Sequence, residues 1–338
     1  MSEKKFAMLG AGFWASYQLA AWGEVPGARC VGVCDPDRAK AGALAAKHGI
    51  SGVFTDARAA LSTGDVDFVD IVTPPATHAE LIRLALSLGK STICQKPVTE
   101  HLADGQALER EARAANLPLL VHENFRWQTG VRALKSALET GVIGEIYRAR
   151  LTFTSGFPVF DNQPNLKTLE RFLLADVGVH VLDIARFLFG ESQSVYCHTR
   201  SVQLDVRGED AATVMTRHSD VTVLTELSYV QNHYEQECFP ETLARVEGAK
   251  GSMELTPDCW LRVTTQSGTH SRRFAPPRYA WADPAYEVAH ASMVPCLANL
   301  LAGARGEPCE TTIADNLQTM RLVEAAYRSA AEGRETTP

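Results

Sequence analysis

Residues 6–15 read FAMLGAGFWA, an apolar run that halts at two glycines and restarts as a helix. Phe6 to Leu9 suit a buried strand, and the turn after it has the G-x-G-x-x-A spacing of a dinucleotide-binding loop. The requirement is steric. Gly10 permits the sharp turn, and Gly12 lets the backbone approach a pyrophosphate lying at the positive end of the next helix. Ala15 is small enough for that helix to lie close on the strand, and Phe13 and Trp14 stand in the same turn, beside the expected cofactor. A glycine turn alone is a weak signal. A second strand, Arg29 to Cys34, ends in Asp35, about twenty residues further on, where an acid binds the ribose 2′-hydroxyl of NAD and repels the extra phosphate of NADP. NAD is therefore the expected cofactor, and Arg38 three residues on leaves NADP open as a second one.

Outward from this turn, strand and helix patterns alternate. Val53 with Phe54, Asp67 to Val72, Ser91 to Cys94 and Pro118 to Val121 read as strands between Ala-rich and Leu-rich helices, which implies a parallel sheet. The fourth strand closes in Thr73, Pro74 and Pro75, and His78 then opens a helix at a position from which it could touch the nicotinamide ribose. The fifth runs into Gln95, Lys96 and Pro97 within STICQKPVTE, residues 91–100. In open α/β sheets ligands gather outside the carboxyl ends of the strands, so Lys96 is expected to point into a binding site.

The chain of 338 residues exceeds the usual single-domain size, which predicts two domains, here 1–122 for the nucleotide and 123–338 for substrate and oligomer contacts. A net charge of −7 without a Lys/Arg run argues against nucleic acid, and no stretch approaches the ~20 apolar residues of a membrane span. Eight cysteines, including Cys238, lie scattered without a CxxC pair and read as buried free thiols. The amino terminus reaches the glycine turn before any signal-length apolar region, so a cytoplasmic location is expected.

After Val121 the rhythm changes. HENFRW leads to a helix through Glu139, then Glu145 to Ser155 alternates as a long strand. Runs at Ser194–Leu204, Asp210–His218, Val221–Val230, Glu241–Glu247, Ser252–Leu255, Trp260–Thr265 and His270–Phe274 predict a large, open, mostly antiparallel sheet. Two helices follow, about Pro284 to Ala302 and Ile313 to Ala331, with Gly303 and Gly333 as stop signals. One helix in this half, Leu174 to Phe189, is apolar around most of its circumference, yet Asp176, His180 and Asp183 fall on one stripe at i, i+4 and i+7. Burying these groups unpartnered costs several kcal/mol, so the stripe faces a wet or charged cleft or is paired internally. Asp176 and His180 could also be metal ligands, but no further ligand falls at suitable spacing and no metal is expected.

With GAGFWA, Asp35, TPPATH, CQKP, NFR and DVGVHVLD in view, the chain resembles the Gfo/Idh/MocA family, the glucose-fructose oxidoreductase and inositol dehydrogenase group, over nearly all its length. The resemblance implies a Rossmann domain followed by an α/β domain whose open sheet often forms a homodimer or homotetramer contact. It also implies that Lys96, Asp176 and His180 are catalytic, and that Asn124 and Arg126 line the same cleft. Gln95 stands where the family more often has glutamate, so an amide takes that acid's place near the nicotinamide ribose.

The implied reaction is oxidation of a carbinol, with hydride passing to nicotinamide C4 and a side chain taking the hydroxyl proton. An unperturbed lysine titrates near ~10.4 and needs ~4 kcal/mol of help to act near neutrality, whereas an imidazole at ~6.5 needs almost none. Energetics alone would choose His180. The resemblance assigns the base to Lys96, with His180 hydrogen-bonding substrate or relaying the proton and Asp176 orienting the hydroxyl. Phe157, Phe160, Asn162, Gln163 and Arg171, with Tyr279, Trp281 and Tyr286, suit a carbohydrate or equally a core or subunit interface. Family analogy points to an aldose oxidised at C1 or a cyclic polyol, and CQKP and HENFRW look closest to pentose-type members, those acting on D-apiose among them. Three rivals stand beside this reading: an NAD-using glycoside hydrolase, a sugar–sugar oxidoreductase with tightly held NADP, and a non-catalytic NAD-binding regulator.

Overall fold

β1 (Lys4–Leu9), β2 (Ala28–Cys34), β3 (Gly52–Phe54), β4 (Phe68–Ile71), β5 (Ser91–Gln95) and β6 (Leu119–His122) pair in parallel, in the order β3-β2-β1-β4-β5-β6. The computed structural model describes residues 3–230 and 242–338. Helices α1 (Phe13–Trp22), α2 (Arg38–Lys47), α3 (Ala57–Leu61), α4 (His78–Ser87) and α5 (Leu102–Ala115) make the crossovers. This is the expected doubly wound sheet, and its strand order reverses between β1 and β4, the kind of place where such sheets bind ligands. Its strands are largely apolar because both faces are covered: Phe6, Met8, Leu9, Phe68, Ile71 and Ile93 are fully buried. The rings of Phe6 and Phe68 stack at 5.0 Å.

The second sheet combines β7 (Ile146–Thr154), β8 (Ser194–Arg200), β9 (Ala211–His218), β10 (Val221–Ser228), β11 (Leu243–Gly248), β12 (Gly251–Thr256), β13 (Trp260–Thr265) and β14 (Gly268–Arg273), in the order β14-β13-β12-β11-β7-β10-β9-β8. All neighbours are antiparallel except β7 and β10, which run parallel with Leu151 opposite Thr225. Alternation separates its faces. Ala149, Leu151, Phe153, Val214, Val223 and Val246 are buried on one, whereas Arg150, Arg245 and Arg262 are exposed on the other. The remaining helices are α6 (Thr129–Glu139), α7 (Val159–Asn162), α8 (Val179–Phe189), α9 (Glu287–Ala304) and α10 (Ile313–Glu332). The strand start expected at Glu241, and the thiol of Cys238, lie outside the described residues.

Contacts divide the chain into two units, Met1–Glu123 with Met293–Leu317 and Asn124–Ser292 with Gln318–Pro338. Inside the first unit, Val121 N–H donates to Thr311 O at 2.8 Å, tying the returning segment to the end of the parallel sheet. Two local expectations are corrected. Gly303 does not stop α9, which runs on through it: a Cβ there would lie 2.8 Å from both Leu120 Cδ1 and Cys309 Cβ, so its glycine serves close packing. The apolar segment from Leu174 is not one α-helix. Leu174–Gly178 is a π-helical turn, and α8 begins only after it.

Candidate active site

The nucleotide loop is built as its sequence requires. Gly10 has φ +104°, and a Cβ on it would stand 2.4 Å from Val72 O, so no other residue fits. Gly12 is different: among the described residues no atom lies within 4 Å of where its Cβ would be, so the space over the turn is open. Gly12 is also the N-cap of α1 and offers no side chain to the N–H groups of the first turn. Asp35 is held against this turn, its carboxylate accepting from Ala11 N and Asp37 N at 2.9 Å each, and each oxygen keeps a lone pair for a ribose hydroxyl. A dinucleotide fits this cradle, with its pyrophosphate on the N–H groups of α1 and its ribose at Asp35. Arg38 is exposed at the start of α2, and Phe13 and Trp14 are half-buried with their rings 5.3 Å apart. Thr73 and Pro74 follow β4, where Thr73 Oγ1 accepts from Thr77 Oγ1 at 2.7 Å.

Gln95 ends β5 and Lys96 follows it, both half-buried, with a cis peptide between Lys96 and Pro97. His78 is turned inward. The ring is fully buried, with Nε2 2.8 Å from Thr73 O and Nδ1 3.0 Å from Pro97 O. It braces the loop after β4 against the loop after Lys96. Burial pulls its pKa below the usual imidazole value, and a neutral ring has one proton for the two carbonyls.

In the second unit the π turn leaves Asp176 half-buried while Leu174, Val177 and Gly178 are buried around it. A π turn widens the helix by one residue, which re-aims the side chains it carries, and such turns recur at functional sites. Gly178 packs tightly there, since a Cβ would come within 3.2 Å of both Leu174 and Leu227. His180, one residue into α8, lies flat on Phe125, ring centroids 3.8 Å apart and planes 6° from parallel. Asp183, on the same stripe, is paired internally. Arg126 Nε and Nη2 donate to it at 2.7 and 2.5 Å, Thr319 Oγ1 donates at 2.9 Å, and all of it is buried. Burial raises the Asp183 pKa, but the guanidiniums of Arg126 and Arg186 outweigh it and hold the carboxyl below its ordinary value.

Arg126 and Asn124 both hold neighbouring elements in place. Arg126 is committed to Asp183, and the Asn124 amide donates to Ala289 O at 3.2 Å and Ser292 Oγ at 2.7 Å. The segment 124–126 thus pins α8 from one side and α9 from the other, with Phe125 on the His180 ring. Phe157 and Asn162 come together on Tyr286: the Phe157 ring meets it edge-on at 5.1 Å, and Asn162 Nδ2 donates to its hydroxyl at 3.2 Å. Tyr286 stacks on His290, whose imidazole is pushed down to about 4 by burial and stays neutral. Arg171 pairs with Glu324 at 2.8 Å.

Residues that the sequence reading passed over are Gln18, Asp70 and His122, all fully buried at the heart of the first unit. Their signal was present: an acid in the middle of the apolar run FVDIV, and Gln18 and Trp22 four apart on α1.

A family model described as an oxidoreductase family with an NAD-binding Rossmann fold matches residues 4–123, and one described as a GFO/IDH/MocA C-terminal domain matches residues 131–254. A D-apiose dehydrogenase of Paraburkholderia graminis is 42% identical over 98% of this chain and 88% of that protein. Another, of Rhizobium rhizogenes, is 39% identical over 99% of this chain and 97% of its own. The crystal structure of an oxidoreductase from Agrobacterium radiobacter, in complex with NAD+, L-tartaric acid and magnesium, superposes with a TM-score of 0.96 at 38% identity, covering 99% of this chain and 98% of that one. A glycine loop shaped for a dinucleotide, in a first domain matched by an NAD-binding model and followed by the partner domain of the same group, makes this chain a member of the Gfo/Idh/MocA family of oxidoreductases, with NAD as its nucleotide.

Proposed function

We propose that this protein is an NAD-dependent sugar dehydrogenase that oxidises the C1 hydroxyl of a pentose of the D-apiose kind to the lactone. The observation that carries this reading is the 42% and 39% identity, over almost the whole chain, to two proteins named D-apiose dehydrogenase. Bound NAD supplies the hydride acceptor at nicotinamide C4. Lys96 takes the hydroxyl proton on Nζ, and what supports it is its place at the carboxyl end of β5, where ligands of such sheets collect. His180, its ring plane set by Phe125, hydrogen-bonds the substrate, and Asp176 on the π turn orients the reacting hydroxyl. Phe157 and Asn162 supply an apolar wall and an amide for the sugar.

The test is to incubate the protein with NAD and D-apiose, other aldoses and inositols while following NADH absorbance. D-apiose should give the highest kcat/KM, and NAD should outperform NADP because Asp35 repels the 2′-phosphate. No NADH with any sugar sinks the reading. Lys96→Ala should lower turnover by about 10² to 10⁴-fold and leave NAD affinity within a few-fold. Undiminished turnover removes Lys96 from the chemistry.

The proposal extends to a homodimer or homotetramer formed through the open face of the second sheet, and to a cytoplasmic location. Tyr196, Met215, Leu224, Arg150, Arg245 and Glu254 stand in one cross-strand row on that face, with Tyr196 40% and Met215 47% exposed. Large apolar side chains among paired charges suit a contact between copies. Light scattering should give two or four chains per particle, and a monomer would end the idea. The seven described cysteines form no disulfide, and burial pushes the Cys34 thiol up to about 11, which suits a reducing compartment. Among the described residues no helix is long and apolar enough to cross a membrane.

A further inference from the structure

A buried polar chain runs through the first unit to the residue proposed as the base. Asp70, in the middle of β4, is fully enclosed and accepts from Trp22 Nε1 at 2.7 Å and from Gln18 Nε2 at 2.8 Å to each oxygen. Gln18 Oε1 lies 2.6 Å from Gln95 Nε2, which stands 3.0 Å from Nδ1 of His122. Gln95 Oε1 accepts from the Lys96 backbone N–H at 3.2 Å. The direction of each bond follows from the first. An ionised carboxylate only accepts, so Gln18 turns its amino group to Asp70 and its oxygen to Gln95. Gln95 must answer with its amino group, which leaves His122 Nδ1 as an acceptor with the ring proton on Nε2, and turns the Gln95 oxygen to the Lys96 peptide.

We infer that Gln95 is a positioning residue: this chain requires an amide there, and that amide, oriented by Asp70 through Gln18 and by His122, sets the peptide from which Lys96 leaves the strand. The inference rests on the assignment of Lys96 as proton acceptor. It also accounts for the glutamine at a place where the family pattern more often has glutamate. A carboxylate at this position would set acceptor against acceptor at both Gln18 Oε1 and His122 Nδ1, and would bring a second negative charge beside buried Asp70. A proton on the introduced carboxyl relieves the clash with Gln18 Oε1, and a proton on His122 Nδ1 relieves the one with the imidazole. The titratable groups around the cluster are Asp70 from β4, His122 with Glu123 after it at the end of β6, and Lys96 itself. The thiols of Cys94 on β5 and Cys30 on β2 are held protonated by burial, and α1 contributes the neutral donors Gln18 and Trp22.

The experiment joins one spectroscopic and one kinetic readout. In the wild-type protein without ligands, ¹⁵N shifts of the His122 imidazole, assigned by His122→Asn, should show a neutral ring protonated on Nε2 at about pH 7.5. A ring protonated on Nδ1, or charged there, overturns the inference without reference to catalysis. Turnover of Gln95→Glu, relative to wild type at each pH, should be down roughly 10- to 100-fold at about pH 8 and recover as the pH falls, whereas Gln95→Leu stays low throughout. A Gln95→Glu profile within twofold of wild type at every pH overturns it as well. Lys96→Ala separates the two ideas. If Lys96→Ala is inactive and either result goes against the network, this inference fails alone. If Lys96→Ala turns over normally, the assignment of the base fails and takes the positioning role with it, while the His122 shifts still report whether the network is as described.

Discussion

Asp70 in the first unit and Asp183 in the second are both wholly removed from solvent, and they are held in opposite ways. Asp183 has two guanidiniums on it, from Arg126 at 2.5 Å and Arg186 at 3.7 Å, and its carboxyl stays below the ordinary range. The described hydrogen-bond donors to Asp70 are neutral, Gln18 and Trp22, and burial pushes it up to about 6. The difference separates two uses of a buried acid. An acid matched with cations behaves as a bolt, because removing either side strands a charge. An acid solvated only by amide and indole N–H groups sets the direction of everything bonded to it, and it remains open to protonation. The bolt lies three residues beyond His180 on α8, and the orienting acid lies at the root of the chain that reaches Lys96.

The largest effect should come from breaking the bolt. Arg126→Ala removes both short charged donors from Asp183, leaving it Arg186 at 3.7 Å and Thr319, and should lower unfolding stability by about 3 kcal/mol, while Arg126→Met with Asp183→Leu recovers most of the loss. Urea unfolding of both variants checks this, and a single variant as stable as wild type would show that Asp183 does not need Arg126. Next is the pH response of Asp70. Its folded pKa of about 6 lies above the 3.8 of an exposed aspartate, so its favourable contribution is complete below about pH 4 and is lost as pH rises through about 6. The stability of wild type relative to Asp70→Asn should therefore fall by something on the order of 3 kcal/mol across that window and stay flat above it. A difference that rises with pH would mean that Asp70 has a cation after all. The smallest effect calibrates the other two. Arg83 and Glu111 make a two-pronged pair at 3.0 to 3.1 Å between α4 and α5, both side chains about two-fifths exposed. Arg83→Ala should cost under about 1 kcal/mol, a loss that fades in salt, because water already screens the pair.

Much of the first unit was legible because its demands are local. Gly10, Gly12 and Asp35 are dictated by the turn itself, and Lys96 before Pro97 marks a strand end whatever the rest of the chain does. Gly303 misled because a glycine in sequence signals a helix stop, whereas here its missing side chain makes room for Leu120 and Cys309. The π turn at Leu174–Gly178 was invisible, since i+4 and i+5 bonding use the same residues and differ by less than packing supplies. The stripe of Asp176, His180 and Asp183 was seen, but not that its members part company. Arg126 takes Asp183 from 57 residues away, and His78, a good site candidate by its place at a helix start, is drawn inward by two carbonyls.

The sequence by itself determined the two strand regimes, the dinucleotide turn and the placing of Lys96 at a strand's end, because periodicity and backbone sterics act within a few residues. Only the tertiary structure decided which polar groups became partners: Asp70 with Gln18 and Trp22, Gln95 with His122, Arg126 with Asp183. The reason is desolvation. A buried donor or acceptor must be matched in direction and charge by whatever the fold brings beside it, and that neighbour is set by packing across the sheet and not by order along the chain.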